Sequence, residues 1–109
     1  MNWIPLQTES QLEDIQAKSA DRPQLIFKHS TRCSASAIVK GRLERAGKPE
    51  DIDFYYLDLI NYRPVSNKVT DLFRIDHESP QVLLIRDGQC IYDESHLGIT
   101  MADIVAAAA

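Results

Sequence analysis

Apolar and polar positions switch between two periods along this chain, and the switches predict nine elements. Leu12, Ile15 and Ser19 recur at helical spacing behind Thr8-Glu9-Ser10-Gln11, which fits a capping box with Thr8 as N-cap and Gln11 at N3, so a helix is expected over 9–20. Trp3-Ile4-Pro5-Leu6 before it reads as an edge strand, the place in a sheet where Pro5 is tolerated. Asp21-Arg22-Pro23 breaks the chain, and Gln24–Lys28 then reads as a buried strand. A second helix is expected from Ser34 to Ala46, with Ile38, Val39, Leu43 and Ala46 on one face and Gly47 as its stop. Ile52–Asp58 is aromatic and β-rich and predicts a second central strand. Pro64 opens a third helix whose Val65, Val69, Leu72 and Phe73 form one stripe. After Ser79-Pro80 comes the strand Gln81–Ile85, and Asp87-Gly88 marks a tight hairpin that returns Cys90–Tyr92 antiparallel. Thr100–Asp103 is a second capped start, and Ile104–Ala107 completes the last helix.

Strands alternating with helices call for a mostly parallel sheet with helices on both faces, the terminal hairpin adding an antiparallel element. At 109 residues, a single domain over 1–109 is expected. The net charge of -4, from 12 basic and 16 acidic residues, argues against nucleic acid as a partner, because phosphate binding needs a basic footprint. No apolar run reaches the roughly 20 residues of a membrane span, and MNWIPLQTES lacks a basic stretch followed by an apolar one, so neither membrane nor secretion is expected. Two cysteines make no disulfide framework, and a reduced, cytoplasmic setting follows. The three histidines and two cysteines show no zinc-ligand spacing, so no metal is expected.

The chemistry concentrates in FKHSTRCSAS, which runs from a strand end into a helix and holds Cys33. Free cysteine titrates at about 8.5, and its thiolate is the nucleophile. A helix N-terminus offers unsatisfied N–H groups and partial positive charge, both of which favour the thiolate. Lys28, Arg32, Lys40 and Arg42 are candidates to add to that field. Ser36 stands where a second cysteine would complete C-x-x-C. A C-x-x-S site cannot close an internal disulfide, so an adduct at Cys33 must wait for an external thiol. The Ser36 hydroxyl is a candidate hydrogen-bond donor to the thiolate.

Pro80, opening a late strand in this βαβ arrangement, invites comparison with thioredoxin. The strings IFKHSTRCSAS, FYYLDLINYRPVSNKV and HESPQVLLIRDGQCIYDESH, with the last helix, resemble the monothiol bacilliredoxin (YtxJ-like) family over nearly the whole chain, KHSTRC being the most specific part. The resemblance implies a thioredoxin-like, three-layer α/β/α fold with a central mixed sheet of four to five strands and four helices. It also implies thiol-disulfide exchange that removes bacillithiol, or another small thiol acting as co-substrate, from mixed disulfides on client proteins, with no bound cofactor. It assigns the nucleophile to Cys33 and a cis-proline to Pro80. Ser36 is expected to assist the sulfur, and Arg32, Ser34, Ser79 and Pro80 to contact the client. The chain departs from the family at Ser34, where members often carry proline.

Other residues read more plainly. Cys90, on a strand beside Ile91, reads as a small buried hydrophobe. His29 is a candidate proton shuttle or a strand-end hydrogen bonder, His77 reads as loop, and His96, near Tyr92 and Ser95, is a candidate to line the site. Asp53 and Asp58 point to opposite faces of one strand and form no acid–base pair. Three readings stay open: an exchange enzyme, a non-catalytic thioredoxin-like binding module, and a thiol sensor that oxidises at Cys33. Retention of client binding in Cys33→Ala would favour the module, and slow recycling the sensor.

Overall fold

A computed structural model describes all 109 residues. In chain order the elements are β1 (Ile4–Pro5), α1 (Ser10–Lys18), β2 (Gln24–His29), α2 (Ser34–Ala46), β3 (Asp53–Asp58), α3 (Arg63–Phe73), β4 (Gln81–Arg86), β5 (Gln89–Ser95), a 3-10 turn (His96–Gly98) and α4 (Met101–Ala108). The sheet order is β1-β3-β2-β4-β5, which places β2 at the centre.

Strand alternation sends the two faces of β2 into separate cores. Ile26 joins Leu12, Ile15, Val65, Val69 and Phe73 beneath α1 and α3. Leu25 and Phe27 join Val39, Leu43, Met101 and Ile104 beneath α2 and α4. The result is the three-layer arrangement that the resemblance implied, with five strands and four helices.

Several expectations are corrected. The sheet is not mostly parallel: β1–β3 and β2–β3 pair parallel, whereas β2–β4 and β4–β5 pair antiparallel. Gln81, the first residue of β4, sits opposite Lys28 near the end of β2. The connection after α3 therefore returns the chain to the end of the sheet where β2 finishes, and β4 must run back. Arg74, in the left-handed region at φ 58°, makes that turn.

Thr8 is not the N-cap of α1, which is Glu9. Half of the expected box survives, because Gln11 Oε1 accepts the Thr8 N–H at 3.0 Å. Ile38 is 52% exposed, and the buried stripe of α2 is Ser36, Val39 and Leu43. The hairpin turn at Asp87-Gly88 has positive φ at both residues, 52° and 78°, which fits the twist of the flanking strands. Thr100 caps α4, its Oγ1 accepting the Asp103 N–H at 3.2 Å.

Candidate active site at the Cys33 turn

The sulfur is placed by a strand end and a helix start. After His29 the chain turns through Ser30-Thr31-Arg32, and Cys33 closes the turn by donating its N–H to the Ser30 carbonyl at 3.2 Å. Cys33 is the N-cap of α2, with φ −111° and ψ 119°, and its carbonyl accepts the Ala37 N–H at 3.2 Å. The thiol is half-buried and free. Arg32 and Ser34 flank it, both exposed.

Ser36 lies in the first turn of α2 and is fully buried. Its hydroxyl contacts His29 Nδ1 at 2.6 Å and accepts the Ser30 N–H at 3.2 Å. No hydrogen bond joins it to Cys33 in this geometry, so its engagement is with the strand end and the turn, not with the sulfur. His29 is 5% exposed and packs against the rings of Phe27 and Tyr56, at 5.6 and 5.4 Å. Burial, then the nearby Lys40 ammonium, holds its pKa below the usual imidazole value. A neutral ring thus underlies the first turn of α2.

The cations expected around the sulfur are engaged elsewhere. Lys28 points to the face of β2 opposite His29, where its Nζ meets His77 and Gln81. Lys40 pairs with Glu44 at 3.0 Å and lies over the Tyr56 ring. Arg42 donates to the carbonyls of Leu97 and Ile99, tying α2 to the 3-10 turn. Arg32 alone of the four projects from the turn itself.

The loop before β4 arrives at the same end of β2. The Ser79–Pro80 peptide is cis and Pro80 is buried. Lys28 pairs with Gln81 in the ladder, so Ser79-Pro80 lies one step beyond it, beside His29-Ser30. The Pro80 carbonyl accepts the His96 N–H at 2.8 Å, and His96 Nε2 pairs with Glu78 Oε2 at 3.0 Å. His96 therefore braces the proline loop from behind. Ser79 Oγ is buried without a partner.

Cys90 takes no part. It pairs across the hairpin with Ile85, at the end of the sheet away from Cys33. Its Sγ donates to the Tyr92 carbonyl at 3.3 Å, and burial pushes the thiol up to about 11. Asp53 is occupied by Arg22 and Gln24, and Asp58 by Asn61 and the Ile60 N–H. None of the surface clefts includes Cys33; the largest, about 450 Å³, opens between Asp21, Arg86 and the end of α4. The sulfur stands on an open surface rather than in the enclosed, apolar pocket usual for a small molecule.

Two contacts at this site were not read from the sequence: His29 with Ser36, and Lys28 with His77. The available signal was Lys28-His29 itself, two polar residues closing a buried strand and facing opposite ways.

Known proteins bear on this geometry. A family model described as "Monothiol bacilliredoxin BrxC" matches residues 4–104. Among solved structures, one described as having a thioredoxin fold is 25% identical, with a TM-score of 0.83, covering 95% of this chain and 91% of its own. Thioredoxin from Malassezia sympodialis (Mala s 13) is 15% identical, with a TM-score of 0.75 and coverage of 97% and 87%. Thioredoxin from Fasciola hepatica is 16% identical, with a TM-score of 0.74 and coverage of 94% and 92%. The latter two share the fold.

Proposed function

The chain belongs to the monothiol bacilliredoxin family, and from that membership we propose that Cys33 removes a low-molecular-weight thiol, bacillithiol foremost, from mixed disulfides on client proteins. The Cys33 thiolate attacks the small-thiol sulfur of the client's mixed disulfide. The old disulfide breaks, the client leaves as thiolate, and a new disulfide joins Cys33 to the small thiol. A second small-thiol thiolate then attacks that adduct. It leaves as the small-molecule disulfide and restores the Cys33 thiolate, so each cycle spends two small-thiol sulfurs and no other oxidant or reductant.

The observation that carries this reading is the isolation of Cys33. It sits at the start of α2 with Ser36, not a thiol, one turn on, and Cys90 at the far end of the sheet. No internal sulfur competes for the adduct. The Ser36 hydroxyl, held by His29 Nδ1 and the Ser30 N–H, fixes the first turn of α2 against the end of β2 and so sets where Cys33 stands. Arg32, Ser34, Ser79 and Pro80 line the surface against which the client lies.

The test is intact-mass spectrometry of the reduced protein incubated with a bacillithiolated or glutathionylated client. The expected result is a small-thiol adduct on wild type, loss of that mass from the client, and no transfer to Cys33→Ser. Equal transfer to both, or none to wild type, overturns the exchange reading; stable client binding without transfer would instead identify a binding module.

A further inference from the structure

Lys28 has no exposed surface at all. A buried ammonium needs a reason, because an apolar side chain of similar length would serve the core better. No carboxylate lies within salt-bridge distance of it. Its Nζ donates instead to Gln81 Oε1 at 3.1 Å and to His77 Nδ1 at 2.6 Å. An ammonium has donors only, so His77 must present a bare Nδ1 and carry its proton on Nε2. Gln81 spreads the contact: its Nε2 donates to the Asp76 carbonyl at 3.0 Å, and its Oε1 also accepts the Glu78 N–H at 3.4 Å. Every one of these partners belongs to the run that leads into Ser79-Pro80, or to the first residue of β4 behind it.

We propose that Lys28 is a positioning residue for the client-binding loop, holding residues 76–80 against the end of β2 through His77 and Gln81, and holding them only while His77 is neutral. Protonating His77 converts the acceptor into a second cation and breaks the 2.6 Å contact. The charged groups facing this cluster are Arg63 from α3 and Glu78 from the loop itself, while β4 contributes the uncharged Gln81. Arg63 adds to the repulsion, and Glu78 opposes it while also pairing with His96. Burial, then Lys28, keeps His77 below the ordinary imidazole value, so the neutral form is the one present near pH 7. Burial, then Arg63, lowers Lys28 to about 8, which leaves it charged there. The clamp is thus closed near neutrality and opens toward acid.

That the loop contacts a client rests on the exchange reading above; that Lys28 holds the loop does not. The experiment keeps the two apart. Amide hydrogen exchange of the segment 74–82 is measured on wild type, Lys28→Met and His77→Asn at pH 7 and pH 5, each compared at equal pH. Asn keeps an acceptor near the Nδ1 position but does not titrate. Exchange in the segment is expected to rise at least about tenfold in Lys28→Met at pH 7, as for a segment cut loose from its anchor, with β2 unchanged. At pH 5 wild type is expected to lose protection that His77→Asn keeps. In parallel, the rate of transfer from a protein mixed disulfide, divided by the rate with a small aromatic disulfide, is expected to fall at least about tenfold in Lys28→Met, because misplacement of a binding element costs rate in this range. Wild-type protection in Lys28→Met, or a rate ratio within twofold of wild type, overturns the proposal. So does His77→Asn losing protection in acid as wild type does, a result that stands even if Lys28→Met fails to fold. Failure of wild type to transfer any thiol would overturn the exchange reading and leave the exchange-protection result to decide the clamp.

Discussion

The two sides of the Cys33 surface are anchored by neighbouring residues that point in opposite directions. On the cysteine side, His29 packs against Phe27 and Tyr56 and contacts Ser36 in the first turn of α2. On the proline side, Lys28 reaches through the other face and grips the loop before β4. The first anchor is a neutral pair inside one short loop of chain; the second is a buried charge spanning 49 residues to His77. The contrast teaches that the parts have separate supports. Loss of the first should disturb the nucleophile for any disulfide, and loss of the second should disturb chiefly the handling of a protein client.

The largest expected effect is at the sulfur itself. Cys33→Ala should abolish transfer from either kind of disulfide, while Cys90→Ala should retain it, as read by intact mass. Transfer that persists in Cys33→Ala would dissolve the comparison, since neither anchor would then serve a nucleophile.

The next concerns Lys28 and stability. Its fall from an ordinary 10.5 to about 8 corresponds to about 3 kcal/mol. Between those values the unfolded chain holds a proton that the folded chain has released, so stability rises with pH through that window. Below about 8 both states are protonated and the cost of the buried charge is present in full. Urea unfolding from pH 8 to 10.5 should show wild type gaining up to about 3 kcal/mol relative to Lys28→Met. Parallel curves would mean that Lys28 is not held as a buried cation.

On the cysteine side, His29→Phe leaves the buried Ser36 hydroxyl with one partner fewer, a loss expected to cost about 1–3 kcal/mol. Ser36→Ala should cost at least as much, because it takes a partner from both His29 Nδ1 and the Ser30 N–H, and the double variant should fall short of the sum because the two residues share one hydrogen bond. Additivity in urea denaturation would show that His29 and Ser36 do not act as one anchor. His29 is also held below its usual value, so the unfolded chain binds the proton more readily, and acidification below about 6.5 should weaken wild type more than His29→Phe.

The smallest effect is at Ser34. It is the first residue of α2, where proline is accepted, and Cys33 before it has the extended backbone that a following proline requires. Ser34→Pro, the residue common in the family, should therefore stabilise by about 0.4–1 kcal/mol without moving the turn. A destabilised variant in thermal denaturation would show that the turn needs serine's freedom.

Much of this frame was legible in the sequence. The bounds of α2, the Asp87-Gly88 hairpin and the Thr100 cap follow from local chemistry, and local chemistry is what periodicity and turn residues report. The direction of β4 was not legible, because it depends on where α3 delivers the chain, and no helical stripe encodes that. Ser19 stood in an apolar stripe as an oddity; it is buried because its Oγ accepts the Gly88 N–H from the distant hairpin, at 2.8 Å. The position of Cys33 at the start of α2 was legible because a helix start after a strand is a local feature. Lys28 was placed in its strand by the sequence pattern but also read as part of a positive field around the sulfur; strand alternation instead turns it to the face opposite His29, where its Nζ meets His77 and Gln81.

The most direct test of the two-anchor account is a single-turnover comparison. Wild type, His29→Phe and Lys28→Met would each react with one protein mixed disulfide and one small disulfide, with adduct formation at Cys33 followed by intact mass. The account predicts that His29→Phe slows both reactions by a similar factor, whereas Lys28→Met slows the protein reaction far more than the small one. Equal losses in the two variants on both substrates would contradict it, for the two sides of the surface would then share one support.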